Sequence, residues 1–191
     1  MRLETRFFSG LIAIIGAIVG LIASFLLTID KIKLLKDSQF VPSCNISEIL
    51  NCKSVMLSAQ AEVFGFPNSI IGLSTFSLFL VVGIALVAGI QFPRWFWRIA
   101  LAGSIAGVFF AHWLAYQTAF EIGALCPYCM IAWVGTFFIL STTIQENLRF
   151  KVAATEDPTR KRSVEKILQL TPLFHLLWLL MILGYSYLAV S

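Results

Sequence analysis

The strongest constraint on this chain is where its charges are missing. No Asp, Glu, Lys or Arg occurs in residues 7–29, 63–93, 99–120, 122–145 or 167–191. Each window is long enough for an α-helix, rising about 1.5 Å per residue, to cross a hydrocarbon core about 30 Å thick. Helices are the natural choice, because lipid offers no partner to exposed backbone groups. The chain is 59% hydrophobic and 13% charged, whereas soluble domains are about 45–50% apolar and about 25% charged. Little sequence is left for a soluble domain, which excludes a membrane-tethered globular enzyme. The pattern predicts an all-α integral membrane protein with five spans. Glu121 alone separates the third and fourth windows, so that turn must be tight.

Basic residues favour the cytoplasmic side of a membrane. Alternate segments on one side hold Arg2, Arg6, Arg94, Arg98, Arg149, Lys151, Arg160, Lys161, Arg162 and Lys166, ten of the 14 Lys and Arg residues. The other side holds Lys31, Lys33, Lys36 and Lys53, offset by Asp30, Asp37, Glu48 and Glu62. The expected protein lies in the cytoplasmic (inner) membrane, with its N-terminus cytoplasmic and its C-terminus outside. The first apolar run is long, and no small-residue cleavage site clearly follows it, so it is read as a retained helix. The net charge of +4 fits cytoplasmic loops beside anionic lipid and requires no nucleic acid.

The segments between spans differ in character. An outer loop covers about residues 30–66, and a basic linker at 148–166 leads into a fifth transmembrane helix at 167–191. Gly16-x-x-x-Gly20 and Gly103-x-x-x-Gly107 are spacings that permit close helix contact.

All four cysteines fall on the outer, oxidising side, where disulfides persist. Cys44 and Cys52 lie in the outer loop; Cys126 and Cys129 open the fourth span. A structural staple suits Cys44–Cys52 taken alone. Cys126-Pro127-Tyr128-Cys129 reads differently, because a Cys-x-x-Cys at a helix start puts both sulfurs on one face, with the first near the positive end of the macrodipole. Pro127 suits the first helical turn, where its missing N–H is no loss. That setting favours a thiolate and hence a redox couple. Zinc is the rival, but two pairs facing an oxidising compartment, one of them at membrane depth, make a poor structural zinc site, and no metal ligand set is assigned. Two redox pairs suggest a relay from an external dithiol to the helix pair, with a membrane quinone as the final two-electron acceptor. A quinone needs an apolar, aromatic slot with a few polar groups, and 17 Phe, 5 Trp and 4 Tyr can build one.

Cys44-x7-Cys52, Ser58 six residues later, Asn68-Ser69-Ile70-Ile71-Gly72 and Cys126-Pro127-Tyr128-Cys129, in this order and spacing, resemble the vitamin K epoxide reductase family, in particular its bacterial members. The resemblance implies a four-helix bundle around a quinone site over residues 1–147, with the outer loop at its mouth. The fifth span is then an addition seen in some bacterial members. It also implies roles. Cys44 takes electrons from a partner thiol and shares a disulfide with Cys52; Cys52 attacks Cys126; and Cys129, released, lies nearest the quinone. Ser58 matches a Ser/Thr position near that last cysteine. Asn68 and Trp133 match positions that contact quinone carbonyls in animal members, where the second is usually Tyr. Helix-start or packing roles for Asn68, and packing for Trp133, remain open beside this.

Many bacterial members carry a fused thioredoxin-like domain after the bundle. This chain ends at Ser191, so the expected electron donor is a separate extracytoplasmic thioredoxin-fold disulfide carrier. The function implied is a disulfide-forming membrane thiol oxidoreductase that reduces a quinone of menaquinone, ubiquinone or phylloquinone type. The alternatives are a quinone or quinone-epoxide reductase that uses thiols as its electron source, and a non-enzymatic metal-binding membrane protein. The resting disulfide is left open, since four cysteines allow three pairings. Among the remaining polar residues, His112 and His175 are read mainly as helix-bridging groups, Glu121 as a solvated turn residue, and the Asn45-Ile46-Ser47 sequon as chance.

Overall fold

The computed structural model describes residues 2–153 continuously, and beyond them positions 166, 170, 173, 177, 178, 180, 181, 184 and 188. Helix α1 spans Arg2–Lys36, α2 Cys52–Leu57, α3 Ser69–Val87, α4 Arg94–Tyr116 and α5 Pro127–Ala153. Four of these helices are long and apolar enough to cross a membrane, namely α1, α3, α4 with the turn that follows it, and α5. The protein is therefore an all-α, multi-pass membrane protein, as the charge-free windows predict. Most of the linker expected at 148–166 and of the fifth span expected at 167–191, including His175, lies outside the described residues.

Helix α1 packs against both α3 and α5, and α4 packs on α5. Lipid tails are as apolar as leucine, so such contacts depend on close packing rather than on hydrophobic burial from water. Small residues supply the fit. A Cβ placed on Gly135 would sit 2.7 Å from the Gly16 carbonyl oxygen and 2.9 Å from Gly20 Cα, so α1 and α5 touch backbone to backbone. A Cβ on Gly83 would lie 3.0 Å from the Ile14 amide nitrogen, a similar approach between α1 and α3. The first glycine spacing is thus a real contact surface. The second is not: nothing lies within 4 Å of a Cβ on Gly103, and one on Gly107 makes an ordinary 3.6 Å contact with Thr136.

Two departures from the charge-gap reading matter. Helix α1 does not stop at Asp30 but runs on to Lys36, so the outer loop proper begins nearly two turns later than the charges suggest. Helix α5 likewise continues past Gln145 to Ala153, carrying Glu146 and Arg149 along its side. Charges end a helix in neither case, because each buried one finds a partner. Asp30 accepts an ion pair from Lys33 at 3.8 Å, and Arg149 pairs with Glu146 at 2.7 Å.

The expected tight turn after the third span is a π-helical turn, Gln117–Ile122, ended by Gly123 at φ +66°. A single π turn is often placed where a function needs the chain displaced, and this one delivers Leu125 and Cys126 to the outer loop.

Candidate active site

The two cysteine pairs are brought together by main chain. The Leu125 N–H donates to the Ile49 carbonyl at 2.7 Å, and the Asn51 N–H donates to the Leu125 carbonyl at 2.9 Å. This parallel bridge between Leu50 and Leu125 is the one such pairing among the described residues. It fixes the register of the residues that follow, so that Cys52 and Cys126 leave the bridge side by side. Asn51 then caps α2, its side chain accepting the Ser54 N–H at 3.0 Å, as Asn does well at a helix start. Cys52 is the first residue of that helix.

Cys44 and Cys52 form a disulfide, with Cα atoms 5.7 Å apart. Cys126 and Cys129 are free thiols. The Cys126 thiol donates to Cys52 Sγ at 3.2 Å, within the separation of about 3–3.5 Å at which reacting atoms are poised. Cys126 directly precedes α5, and its sulfur accepts the Cys129 N–H at 3.4 Å in the manner of an N-cap. Cys44, Cys52 and Cys126 are buried together with Leu27, Leu34, Val55 and Met56, and Cys129 packs against this cluster. Cys129 also packs against a second one, formed by Ala111, Ala115, Trp133 and Phe137. It is the sulfur that joins the cysteine site to the aromatic interior of α4 and α5.

The sequence profile of the vitamin K epoxide reductase family matches residues 11–144, more than half of the chain. The chain belongs to that family. It is accordingly a membrane thiol oxidoreductase with a quinone as cofactor. Comparison with the curated proteins returns no significant match. The vitamin K epoxide reductase match runs without a break from Leu11 in α1 through the outer loop, α2, α3 and α4 to Ile144 in α5, and so includes every cysteine.

The residues carried over by resemblance fall in different places. Trp133, one helical turn beyond Cys129, is buried in the cluster that Cys129 touches. Ser58 ends α2, and its hydroxyl donates to the Val55 carbonyl at 2.7 Å, which leaves its lone pairs to accept. Asn68 precedes α3 but makes no side-chain cap. Its Nδ2 donates instead to the Gln60 carbonyl at 2.7 Å, and its Oδ1 is buried with no hydrogen-bond partner among the described residues. A buried acceptor of that kind costs about 1–3 kcal/mol, and it suits a ligand that brings an O–H. The aromatic wall beside the Cys129 thiol fits a quinone ring, whereas the orphaned Asn68 Oδ1, an acceptor, would pair with an O–H of the reduced quinol and not with a quinone carbonyl.

Cys44, Cys52 and Cys126 place their sulfurs within 4.8 Å of one another, the spacing of a metal site. Two of the three share a disulfide, however, and zinc requires thiolates, so in this state the cluster has redox rather than ligand character. Asn45 of the sequon accepts the Lys53 N–H at 2.9 Å and ties the disulfide loop across its base. His112 Nε2 accepts the Trp178 indole N–H at 2.9 Å. Its proton therefore lies on Nδ1, which faces the Val108 carbonyl at 2.8 Å; this is the bridging role expected. Glu121 is exposed on the turn. No sequence pattern marks the Leu50–Leu125 bridge, which is made by backbone, or Lys31, whose buried ammonium donates to the Met56 carbonyl at 2.7 Å.

Proposed function

We propose that the protein oxidises an extracytoplasmic thioredoxin-fold dithiol carrier and delivers the electrons through two cysteine pairs to a membrane quinone, so supporting disulfide formation in other proteins. The observation that carries this reading is the 3.2 Å approach of Cys126 Sγ to Cys52 Sγ, with Cys129 reaching the Trp133 cluster behind it. The proposed placement has the N-terminus cytoplasmic and all four cysteines outside.

The steps balance as thiol–disulfide exchange. A carrier thiolate attacks Cys44, forming a mixed disulfide and releasing Cys52 as thiolate. The carrier's second thiol resolves that bond, leaves oxidised and returns Cys44 as a thiol. Cys52 then attacks Cys126 of an oxidised helix pair, and Cys129 departs as thiolate. Cys44 attacks Cys52, restores the loop disulfide and frees Cys126. The result is the state described above, with Cys44–Cys52 oxidised and the helix pair reduced. A bound quinone supplies the acceptor for the two electrons and two protons given up as Cys126 and Cys129 re-form their disulfide. Asn68 and Trp133 would hold it, and Ser58 would hydrogen-bond near Cys129.

The test is dithiol-dependent reduction of a short-chain quinone by the purified protein, with each cysteine replaced by alanine in turn. Cys129→Ala should abolish turnover and accumulate a Cys52–Cys126 disulfide. Full activity in that variant would refute the relay.

A further inference from the structure

The residue before Cys44 and the residue before Cys129 touch. The hydroxyls of Ser43 and Tyr128 meet at 2.8 Å across 85 positions of sequence. The Tyr128 ring also packs against the buried cluster that contains Cys44, Cys52 and Cys126. The middle of the Cys-x-x-Cys motif therefore packs on the cysteine cluster and holds the turn at the start of the disulfide loop.

Cys52 and Cys44 are held very differently. Cys52 is fixed by the two hydrogen bonds to Leu125, by the Asn51 cap and by the Lys31 bond to the end of α2. It can exchange Cys44 for Cys126, 3.2 Å away, with little movement. Cys44 is only 3% exposed, and its turn is held by the Asn45 N–H bond to Pro42 at 3.0 Å, by Asn45 with Lys53, and by Ser43 with Tyr128. Only the last of these ties the Cys44 turn directly to α5.

We propose that Tyr128 and Ser43 are positioning residues that set which partner Cys52 keeps, their hydrogen bond holding Cys44 in place and so favouring Cys44–Cys52 over Cys52–Cys126. The exchange they bias needs no outside oxidant. Cys126 gives up its proton to solvent and attacks Cys52; the Cys52–Cys126 bond forms as the Cys44–Cys52 bond breaks; the electron pair leaves on Cys44 Sγ, which takes a proton from solvent. Tyr128–Ser43 is intact on the first side of this equilibrium and released on the second. The proposal rests on the relay reading above.

The experiment uses the full chain in detergent with Cys129→Ser, so that Cys126 can pair only with Cys52 or Cys44. Acid quenching, alkylation and peptide mass spectrometry give the ratio of Cys52–Cys126 to Cys44–Cys52. Tyr128→Phe, which keeps the ring and its packing, should raise that ratio about 2–10-fold, the range expected for one hydrogen bond. Ser43→Ala should raise it equally, and the double variant no further, since each removes the same interaction. An unchanged ratio in both single variants, or effects that multiply in the double variant, overturns the proposal and leaves the relay standing. Absence of any Cys52–Cys126 bond in all four proteins, with Tyr128 and Ser43 intact or replaced, overturns both.

Discussion

Lys31 Nζ lies 2.8 Å from Glu62 Oε1 while donating to the Met56 carbonyl at 2.7 Å, so one α1 ammonium holds both ends of the segment after Cys52. Met56 lies in the last turn of α2, where carbonyls lack helical partners and a cation is favoured. A six-residue helix is far below the length stable alone, so its position depends on such ties. Lys31→Met should loosen residues 52–62 by about 1–3 kcal/mol. Glu62 has a 38% exposed side chain and can rehydrate, which keeps the loss under the about 3–5 kcal/mol of a fully buried broken pair. Hydrogen exchange should accelerate in residues 52–62 and stay unchanged in the middle of α1 and α5. Unchanged exchange throughout would show that the Leu125 bridge alone holds α2.

Trp133 tests the exit from the relay. It is buried against Phe137, Ala111 and Ala115, with Cys129 packed on the same cluster. Trp133→Leu should raise the KM for quinone about 10-fold, the equivalent of losing part of one buried aromatic side chain. Reduction of the Cys44–Cys52 disulfide by dithiothreitol should keep its rate, because that bond lies in the other cluster. Trp133→Phe should fall between the two proteins. A slowed dithiothreitol reaction with normal quinone KM would place Trp133 in the scaffold instead.

The two glycine spacings make opposite predictions. A Cβ on Gly16 would strike the Phe138 side chain and lie 3.1 Å from the Gly135 carbonyl oxygen, whereas one on Gly103 meets nothing within 4 Å. Gly16→Ala should therefore lower stability by about 1–3 kcal/mol through overpacking. Gly103→Ala should cost nothing, since alanine is the better helix former. Thermal unfolding in detergent compares them, and equal midpoints would contradict the close α1–α5 contact.

What the sequence revealed follows from which signals are local. Charge-free windows mark the four long helices because crossing lipid is a property of each segment by itself. The cysteine pairs were legible because their spacing carries chemistry. The partner of each was not, since the Leu50–Leu125 bridge consists of main-chain groups that every residue type possesses. The ends of α1 and α5 escape a charge-gap reading for a related reason. A charge does not mark a boundary when it finds a partner remote in sequence or one turn away, as the buried Lys31 and Glu146 do. Motif alone points to Asn68; that its Oδ1 is the orphaned atom depends on the Gln60 carbonyl, eight residues earlier, taking the amide side.

The Glu146–Arg149 pair carries the last prediction. It lies about 30 Å along α5 from Cys126, at about 1.5 Å per residue, and so at the other end of the bundle. Glu146 and Arg149 are 2.7 Å apart, with side chains 4% and 18% exposed. Arg149 Nη2 also donates to Ser9 Oγ at 2.8 Å, and Ser9 in turn donates to Gln145 Oε1 at 2.7 Å. The network joins the start of α1 to the end of α5. Arg149→Leu would leave a carboxylate buried without its cation, at a cost of about 3–5 kcal/mol. Removing both charges with Glu146→Leu and Arg149→Leu together should cost less than Arg149→Leu alone, because an apolar pair leaves no charge to solvate. Unfolding midpoints in detergent give the order directly: wild type highest, the double variant between, the single variant lowest. Cysteine exchange in the double variant should be unaltered, since the pair touches none of the residues around Cys52 and Cys126. A double variant less stable than the single one would mean that the pair stabilises the bundle by more than its own desolvation costs.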